Sequence, residues 1–455
     1  MPANPPNTER AKGDPSKSLF ISMLTRDISL ADCIVDLLDN SVDGIKESRR
    51  RAGKAIPQTN EYKGYWVRID FDMNRFSIKD NCGGIPIKVA MDYAFRFGRR
   101  DEDDKVLAEG HTIGLYGIGM KRAMFKMGKA IQVDSSDGKE SFRMALKVDD
   151  WRKQRDPNDP NRDDWDFPLT DIVREKTKVP VGTSVEIAEL SKNVAREFGT
   201  PGFENGLIHS LRRQYAFIIN NGLRLSINKH TVSAIMPTFK VGEQIAPMRV
   251  IEEIAGVKMD ITAGLASPPP EDDSSESLYP EAETYGWYVV CNDRVVVTAD
   301  KTSLTGWGMS PVPTWHPQYY GFLGVVRFDA DDPRLLPWTT TKRNVDASSE
   351  VYRRALAVMS ECAKEFVDYT NKRKGEISRV KGIELASATK SIDNVGVQPR
   401  MTLPKLTKKK TRRIQYDKPI SEIEAVAKAL KMRRMSLKDV GIKTFDYFKG
   451  REVTE

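Results

Sequence analysis

The sequence predicts an α+β fold, and three features of its residue pattern support this prediction. Residues 30–48 carry apolar side chains at helical spacing and predict an amphipathic helix. Residues 66–80 alternate apolar and polar side chains in two runs around a polar turn, which is the pattern of a β-hairpin. Residues 346–373 predict a second long amphipathic helix. A mixture of hairpins and long helices is typical of α+β domains.

The composition is that of a globular protein with two or three domains. The chain has 455 residues, of which 39% are hydrophobic and 30% are charged. No apolar run is long enough to cross a bilayer, and the polar N-terminus lacks the apolar core of a signal peptide, so we expect a cytoplasmic protein with no membrane contact. The 4 cysteines and 4 histidines are scattered, which argues against a transition-metal site.

The first predicted helix has an unusual polar face. Acids and one amide recur on it three or four residues apart, and these are Asp32, Asp36, Asn40, Asp43 and Glu47. Stacked carboxylates repel one another, and an ordinary exposed helix face mixes charges of both signs. The stripe therefore indicates a bound cation or a reacting water. The alternative is an acidic face that is merely solvated.

Asp80 ends the predicted hairpin and precedes a glycine-rich turn that includes Gly84. A carboxylate at a strand end can accept a hydrogen bond from an adenine amino group, while glycines keep the backbone clear of the base. A simple Asx turn is the alternative. Thr183, which follows Gly182 at the start of a later predicted strand, places a hydroxyl where it can share a water with the base.

A second glycine-rich segment consists of Gly114, Gly117 and Gly119, and it runs into a helix that begins with Met120-Lys121. Glycines let backbone amides approach a phosphate closely, the helix N-terminus adds partial positive charge, and Lys121 adds a full one. The polar segment before it, residues 98–113, has no apolar period and is typical of a mobile loop. A plain turn is again the alternative.

The order of these elements resembles the GHKL ATPase superfamily, which includes gyrase B, MutL, MORC proteins, the ninety-kilodalton heat-shock chaperones and histidine kinases. The resemblance covers about residues 20–190 and implies a Bergerat-type α/β sandwich that binds ATP with Mg²⁺. By position, Asn40 would hold Mg²⁺, Asp80 would read adenine, and Thr183 would support adenine through water. The glycines Gly114, Gly117 and Gly119 would wrap the phosphates, and residues 98–113 would belong to the lid.

Two positions depart from the family pattern. The catalytic position is usually Glu but is Asp36 here, so its carboxylate is withdrawn by about one bond length from an attacking water. Slow hydrolysis is expected. Cys82 takes the first glycine position of the adenine motif, whereas Gly84 matches.

Residues 288–296 and 337–345 resemble the transducer domain of MutL, gyrase B and MORC proteins, a ribosomal-protein-like fold with a βαβ crossover. The resemblance implies that Lys342 matches the transducer lysine that senses the γ-phosphate. The alternative is a surface lysine in a Thr-rich turn. The resemblance divides the chain into an ATP-binding domain at residues 1–195, a transducer domain at 196–374 and a basic tail with a short helix at 375–455.

These features favour an ATP-dependent switch or clamp that dimerises on binding ATP. Asp36 would orient the attacking water, and Lys121 and Lys342 would stabilise the transition state. A non-catalytic nucleotide-sensing module, a kinase of the same fold and a chaperone remain alternatives. The kinase would need a phospho-accepting histidine before the matching region, and the residues there include none.

The basic excess of the chain lies in its tail. Residues 400–455 hold 16 Lys and Arg against 7 Asp and Glu, a net charge of +9. The cluster at 405–413 suits a phosphate backbone, so we expect DNA or RNA as a partner, with a solubilising tail as the alternative. Residues 375–455 contain no His or Cys, so any nuclease activity would need a partner protein. A MORC-like or MutL-like role, in DNA repair or in antiviral defence against foreign DNA, is expected by analogy.

Overall fold

The computed structural model describes residues 16–53, 61–97, 118–270, 282–339, 344–406, 414–430 and 436–453. Several predictions fall outside these ranges, namely those for the loop 98–113, for Gly114, Gly117 and Lys342, and for most of the cluster 405–413. The chain divides into two compact units, Met1–Leu406 and Thr407–Glu455. The boundaries near residues 195 and 374 stay predictions. Within the described ranges, no helix has both the length and the apolar character that a bilayer crossing requires.

An eight-stranded sheet with helices packed on it forms the first part of the larger unit. The elements are α1 (Lys17–Arg26), α2 (Leu30–Arg51), β1 (Trp66–Phe71), β2 (Arg75–Asp80), α3 (Ile87–Val89) with a π-helical turn (Ala90–Ala94), α4 (Gly119–Met127), β3 (Gly128–Ser136), β4 (Ser141–Lys147), α5 (Val148–Trp151), β5 (Arg155–Asp156), β6 (Asp159–Asp163), β7 (Leu169–Val173), β8 (Gly182–Leu190), α6 (Lys192–Phe198), α7 (Pro201–Gln214), α8 (Ala216–Asn220), β9 (Arg224–Ile227) and β10 (His230–Val232). The strand order in the sheet is β10-β9-β1-β2-β8-β3-β4-β7. Strands β1 and β9 are parallel, whereas β2, β8, β3 and β4 pair antiparallel, so the sheet is mixed.

The predicted hairpin is confirmed as β1 and β2. Its turn is held by Asp72, whose Oδ1 accepts hydrogen bonds from the amides of Asn74 at 2.7 Å and Arg75 at 3.0 Å. The antiparallel register sets Asp80 opposite Val67. This register brings the end of β2, and with it the glycine turn, beside the start of β1.

The helix predicted at 30–48 is α2, and its apolar face is buried. It begins at a capping serine, because Ser29 Oγ accepts a hydrogen bond from the amide of Asp32 at 3.1 Å. The residues of the predicted apolar face are all buried: Leu30, Ile34, Leu37, Leu38, Ser41 and Ile45. On the polar face Asn40 is exposed and Asp36 is half-buried. Two charged residues of α2, Asp39 and Lys46, are buried as well, which the residue pattern did not indicate.

A second sheet of five strands forms the rest of the larger unit. Its region contains β11 (Thr238–Val241), β12 (Met248–Ile254), β13 (Val257–Leu265), β14 (Gly286–Cys291), β15 (Arg294–Asp300), β16 (Phe322–Asp329), α9 (Glu350–Arg373), α10 (Ile377–Ala386) and β17 (Ala388–Ser391). The strand order is β12-β13-β16-β14-β15, and β14 and β16 are parallel. The predicted long helix is α9, and it packs on this sheet with Phe366 edge-on to Phe322 at 5.1 Å between ring centroids. A buried apolar core runs through both sheets.

The connection between the parallel strands β14 and β16 differs from the βαβ crossover that the resemblance implies. The chain passes from β14 through β15 and then through residues 301–321, which contain two short 3₁₀ turns in place of an α-helix. Pro311, Pro313 and Pro317 lie in this segment, and proline removes an amide donor and blocks a helix interior. The ribosomal-protein-like detail of the predicted transducer domain is therefore not reproduced here.

Three further elements differ from the sequence predictions. Residues 206–218, whose apolar pattern predicts one continuous helix, are split into α7 and α8 at Tyr215, whose backbone leaves the helical region. Strands β12 and β13 were not predicted, although they alternate around an Ala255-Gly256 turn with positive φ angles. In the smaller unit, α11 (Ile420–Ala429) matches the start of the short helix predicted in the tail, for which the apolar pattern gives residues 421–434. A further helix, α12 (Leu437–Glu452), follows without having been predicted.

Candidate active site

Asp80 lies at the end of β2 among three hydrogen-bond donors. Its Oδ2 accepts from the hydroxyl of Ser41 on α2 at 2.7 Å, and its Oδ1 accepts from the amides of Cys82 at 2.8 Å and Thr183 at 3.1 Å. Burial raises the pKa of Asp80, and these three hydrogen bonds oppose that increase. A carboxylate has about four acceptor sites, so about one remains for a ligand. The carboxylate is thus oriented to accept a hydrogen bond from an amino group.

Glycines surround Asp80 at positions where no side chain fits. Gly83 and Gly84 have φ angles of +116° and +64°, in the left-handed region that favours glycine. A Cβ on Gly84 would lie 1.9 Å from the carbonyl oxygen of Ser136, and a Cβ on Gly182 would lie 1.9 Å from that of Asp80. The turn after Asp80 therefore packs directly on the backbones of β3 and β8.

Cys82 occupies the position where the family pattern has its first glycine. It is 1% exposed, and its carbonyl oxygen would meet a Cβ on Gly44 of α2 at 2.8 Å. A side chain is accommodated at residue 82 because the close backbone contacts of this turn are made at Gly44 of α2 and at Gly83 and Gly84, which follow Cys82. This departure from the pattern leaves the geometry of Asp80 intact.

Thr183 is tied to the same turn through its side chain. Its Oγ1 lies 3.0 Å from Ser135 Oγ on β3, and that oxygen also accepts a hydrogen bond from the amide of Ile85 at 2.8 Å. Because the amide of Thr183 bonds to Asp80, one residue connects β8, the carboxylate and the hydroxyl of Ser135. A half-buried hydroxyl in this place is suited to hold a water beside a bound base.

Asp36 lies further toward the N-terminus of α2 and is held by an arginine. Arg122 of α4 donates to Asp36 Oδ2 at 2.6 Å, and the side chains are 23% and 14% exposed. A Cβ on Gly119 would lie 3.3 Å from the Asp36 side chain, so the start of α4 packs closely against this carboxylate. The predicted catalytic acid is therefore adjacent to Gly119, the described end of the predicted phosphate loop, but it is engaged in an ion pair.

The N-terminus of α4 is the described end of the second glycine segment. The helix has 9 residues, and its N-cap residue, Ile118, makes no side-chain capping hydrogen bond. The backbone amides at a helix start attract anions. Gly119 is the first residue of this helix, whereas Gly114 and Gly117 lie outside the described ranges.

The placement of Lys121 does not support the predicted phosphate contact. This residue is 1% exposed, and its Nζ donates to the carbonyl of Ala94 at 2.8 Å. Lys121 lies on the inner side of α4, where its aliphatic stem packs in the core and its ammonium bonds to the last residue of the π-helical turn. Within this arrangement the lysine stabilises the segment that leads into residues 98–113.

The predicted site residues fall into two groups along α2. Asp80, Gly84 and Thr183 lie at one end, where Ser41 joins them. Asp36 and Gly119 lie at the other end. Asn40 lies between the two groups and is exposed.

Sequence reasoning missed three residues that shape this site, namely Ser41, Ser135 and Arg122. A serine within an otherwise apolar helix face was a usable signal for Ser41, because a buried hydroxyl needs a partner. No local pattern distinguishes Arg122 from its neighbours in α4.

The donor atoms near Asn40 are of the type that Mg²⁺ prefers. The exposed amide oxygen of Asn40 and the carboxylate of Asp36 are hard oxygen ligands. No group of three or more His, Cys, Asp or Glu side chains suited to a metal ion occurs in the described part of the chain. The residues therefore fit a Mg²⁺ ion that takes one or two protein ligands and completes its shell with phosphates and waters, but not an all-protein cage.

Comparison with known proteins agrees with this geometry. Residues 28–176 match the family described as histidine kinase-, DNA gyrase B-, and HSP90-like ATPase. A search of curated proteins found no match to this chain. The matched range contains α2, Asp80 and the start of α4, which are the parts of the chain that meet at the candidate site. Residues 28–176 therefore form a domain of the GHKL ATPase superfamily with an α+β fold, and this supports ATP binding and ATPase-type or kinase-type activity at the level of the family.

Proposed function

We propose that this protein is a Mg²⁺-dependent ATPase that works as a nucleotide-driven switch. The observation that carries the proposal is the order of groups along α2. In the middle of the helix, Ser41 contacts Asp80, and Asp36, five residues earlier, contacts the start of α4. The exposed Asn40 lies between them in the sequence. Ser41 and Asp36 are separated by about 7 Å along the helix axis. An ATP molecule laid along α2 would meet an adenine acceptor first, then a metal ligand, then anion-binding amides.

Adenine recognition is assigned to Asp80 in this proposal. Its carboxylate is oriented by Ser41 and by two backbone amides, and one acceptor site remains for the exocyclic amino group. Gly84 keeps the turn close to β3, and Thr183 supplies a hydroxyl for a bridging water. A guanine base would present a carbonyl oxygen in place of that amino group, so the carboxylate also selects against GTP.

Hydrolysis is assigned to the Asp36 side of the candidate site. Asp36 orients a water for in-line attack on the γ-phosphorus and accepts its proton, while the bond to the leaving ADP oxygen breaks. The amide oxygen of Asn40 would hold Mg²⁺, and the ion would supply positive charge to neutralise the phosphates. Lys342, outside the described ranges, is the proposed contact to the γ-phosphate.

Asp36 must change partners before it can serve as this base. In the structure its Oδ2 accepts a hydrogen bond from Arg122 at 2.6 Å. A carboxylate directed at a guanidinium is poorly placed to receive a proton from water. Together with the shorter reach of Asp compared with Glu, this pairing supports a slow hydrolysis rate that rises when the pair opens.

A non-catalytic nucleotide-sensing module is the second candidate, and the Asp36–Arg122 ion pair is the observation that favours it. If the pair persists with nucleotide bound, no side chain in α2 acts as base, and ATP binding alone would drive the switch. The two candidates differ in whether phosphate is released.

The test is Mg²⁺-dependent phosphate release by the wild-type protein and by Asp36→Ala. We expect slow release by the wild type and a loss of at least 100-fold in Asp36→Ala, with ATP affinity within threefold, because Asp36 lies away from the adenine acceptor. Asp32→Ala is the matched control, since Asp32 belongs to the same acidic stripe one turn earlier and should keep wild-type turnover. No phosphate release above background by either wild type or Asp36→Ala, with ATP binding retained, would favour the sensing module.

We also propose that ATP binding pairs two copies of the chain and that the protein acts on nucleic acid as a MORC-like or MutL-like clamp. The support is the transducer resemblance of residues 288–296 and the basic cluster at 405–413. DNA repair and antiviral defence are the settings this proposal favours, with a partner protein supplying any nuclease. A sizing measurement with a non-hydrolysable ATP analogue, with and without DNA, tests it, since a monomer under both conditions would reject the clamp.

A further inference from the structure

The turn between β14 and β15 is a rigid projection of the second sheet. Asn292 and Asp293 have φ angles of +47° and +67°, which is the geometry of a tight type I′ hairpin. The Asn292 side chain donates to the carbonyl of Ala330 and accepts from its amide, both at 3.0 Å. These two bonds fasten the turn to the residue that follows β16, so the turn moves with its sheet.

This turn carries an arginine into the interior, beneath α2. Arg294 is 3% exposed, and its guanidinium donates to the carbonyl and the side-chain oxygen of Gln214 at 3.2 Å and 3.1 Å. Its Nε lies 3.3 Å from Asp39 Oδ1. This approach is an ionic contact and not an aligned hydrogen bond, because Nε has no hydrogen-bond partner within the described chain.

Tyr215 completes this buried cluster. The guanidinium of Arg294 lies over its ring, 4.4 Å from the centroid. Its hydroxyl donates to Asp39 Oδ1 and also contacts the carbonyl of Val35 at 3.3 Å. The hydroxyl therefore touches α2 on two successive turns, at a point between α7 and α8 where the chain breaks its helix.

Asp39 belongs to the same turns of α2 as the proposed site residues. It is followed directly by Asn40, and Asp36 precedes it by three residues. Asp39 is 5% exposed, whereas Asn40 is exposed. Rotation of α2 about its axis would thus move the proposed metal ligand and the buried carboxylate together.

We propose that Arg294 is a positioning residue that fixes the rotation of α2 and so presents Asn40 and Asp36 to the nucleotide. The inference rests on the proposed function for the identity of the ligand. Separating a buried ion pair leaves an unpaired charge in the interior, so α2 resists rotation away from Arg294. When nucleotide binding does turn α2, the rigid β14–β15 turn follows, and the second sheet moves with it.

A second contact of the same turn supports this coupling. Tyr62, which follows α2 in the chain and is fully buried, donates from its hydroxyl to Asp293 Oδ2 at 3.1 Å. Two adjacent residues of one turn, Asp293 and Arg294, thereby contact the nucleotide half of the unit at separate points. Because the β14–β15 turn is attached at two points, a rotation of α2 is passed on to the second sheet. With a single contact the turn could pivot about that contact while the sheet stayed in place.

The test compares the single variant Arg294→Met with a double variant that carries both Asp39→Asn and Arg294→Gln. The single variant leaves Asp39 buried without its cation, whereas the double variant replaces the ion pair with two neutral amides. Tyr215→Phe is a milder variant that removes the two hydroxyl contacts and keeps the ring under Arg294. Arg249→Met is the matched control, because it removes an arginine from another pair of the second sheet, with Asp260 at 2.6 Å.

Turnover and ATP affinity are measured for each variant across a Mg²⁺ titration. We expect Arg294→Met to lower kcat at least tenfold and to raise the Mg²⁺ requirement, with ATP affinity within threefold because Asp80 is untouched. The double variant should recover to within threefold of wild type, and Tyr215→Phe should lose about threefold. Arg249→Met should lose thermal stability and keep its kcat. An unchanged kcat in Arg294→Met, or no recovery in the double variant, overturns the inference.

Hydrogen exchange of the α2 amides in nucleotide-free protein separates this inference from the proposed function. Arg294→Met should speed exchange across the middle of α2 at least tenfold more than in β3 and β4, and the double variant should restore protection. If wild type fails to bind ATP with Mg²⁺, the proposed function fails, while α2 exchange still decides the role of Arg294. If Arg294→Met changed the exchange rates of α2 and of β3 and β4 by the same factor, the positioning role of Arg294 would be overturned.

Discussion

The two ends of the candidate site differ in how far they are assembled before nucleotide binds. At the Asp80 end, a carboxylate, three donors and glycines packed against backbone already form a closed arrangement. At the Asp36 end, the acid is paired with Arg122, and the N-cap residue of α4, Ile118, makes no side-chain capping hydrogen bond. The first end is ready to bind, whereas the second must exchange one partner for another before it can react.

The physical reason for this difference lies in the cost of leaving a buried charge without partners. Asp80 is buried, so its donors must be supplied by the protein in every state. Asp36 is 14% exposed, and its cation partner belongs to a helix that starts at the proposed phosphate site. In the proposed function a nucleotide phosphate would compete for that same guanidinium, so binding itself would free the acid.

The largest effect is expected from Asp80→Asn, which breaks the preassembled end. The amide can satisfy Ser41 and both backbone donors, but it presents no free acceptor to adenine, so ATP affinity should fall at least 100-fold, or about 3 kcal/mol. Isothermal titration of a non-hydrolysable ATP analogue measures this loss. An affinity within threefold of wild type would remove Asp80 from the adenine site.

The same variant carries a pH signature. Because burial raises the pKa of Asp80, the folded protein binds this proton more tightly than the unfolded chain, and the corresponding stability is lost as pH rises through the folded pKa. Nucleotide-free Asp80→Asn should therefore be at least as stable as wild type at pH 7. In the wild type, protonation of Asp80 should weaken ATP binding as the pH falls. This decline should begin at a higher pH than it would for an aspartate with an ordinary pKa.

Smaller effects are expected when two glycines, one at each end of the site, are replaced by alanine. The substitution at the Asp80 end should lower stability, whereas the one at the Asp36 end should leave stability nearly unchanged. Gly84→Ala would place its Cβ 1.9 Å from the Ser136 carbonyl oxygen, so the backbone must shift, and we expect a loss of about 2–3 kcal/mol in the free energy of unfolding. Gly119→Ala would place its Cβ 3.3 Å from the side chain of Asp36, a contact that a shift of a few tenths of an ångström relieves. Its unfolding free energy should stay within about 1 kcal/mol of wild type.

Denaturant unfolding of both alanine variants, followed by an ATPase assay of Gly119→Ala, checks this contrast. We expect turnover of Gly119→Ala to fall severalfold because the added methyl group displaces Asp36. Equal destabilisation by the two substitutions would mean that the ends are equally rigid and would contradict the comparison.

The smallest effect is expected from Arg122→Met, which frees Asp36 from its ion pair. We expect kcat to rise two- to fivefold with ATP affinity nearly unchanged, equivalent to less than about 1 kcal/mol. Arg122→Lys is the control, since it keeps a cation beside the carboxylate and should behave as wild type. A decrease in kcat for Arg122→Met would show that the guanidinium stabilises the transferring phosphate instead.

Much of the fold was predictable because its signals are local. The apolar face of α2 follows from helical spacing, and the β1–β2 hairpin follows from strand alternation with an Asx turn at Asp72. The strands β12 and β13 and the helix α12 carried comparable signals, namely a Gly256 turn and a Ser436 cap that accepts from the amide of Asp439 at 3.2 Å. These elements were missed although local chemistry specified them.

The partners of charged side chains were not predictable in the same way. Lys121 bonds to Ala94 instead of facing the phosphate site, and Arg122, its neighbour in the helix, pairs with Asp36 across 86 residues of sequence. Adjacent residues on a helix point about 100° apart, so which of two cations faces a site depends on how the helix packs. No local pattern contains that information.

The sequence by itself determined the elements, the acidic stripe on α2 and the residue types that a magnesium–nucleotide site requires, because helical and strand periods and turn chemistry act over a few residues. Tertiary structure alone decided that Asp39 turns inward to meet Tyr215, across 176 residues, and Arg294. A buried carboxylate must find a partner somewhere in the folded chain, and only the packing of the second sheet against α2 brings that partner within reach.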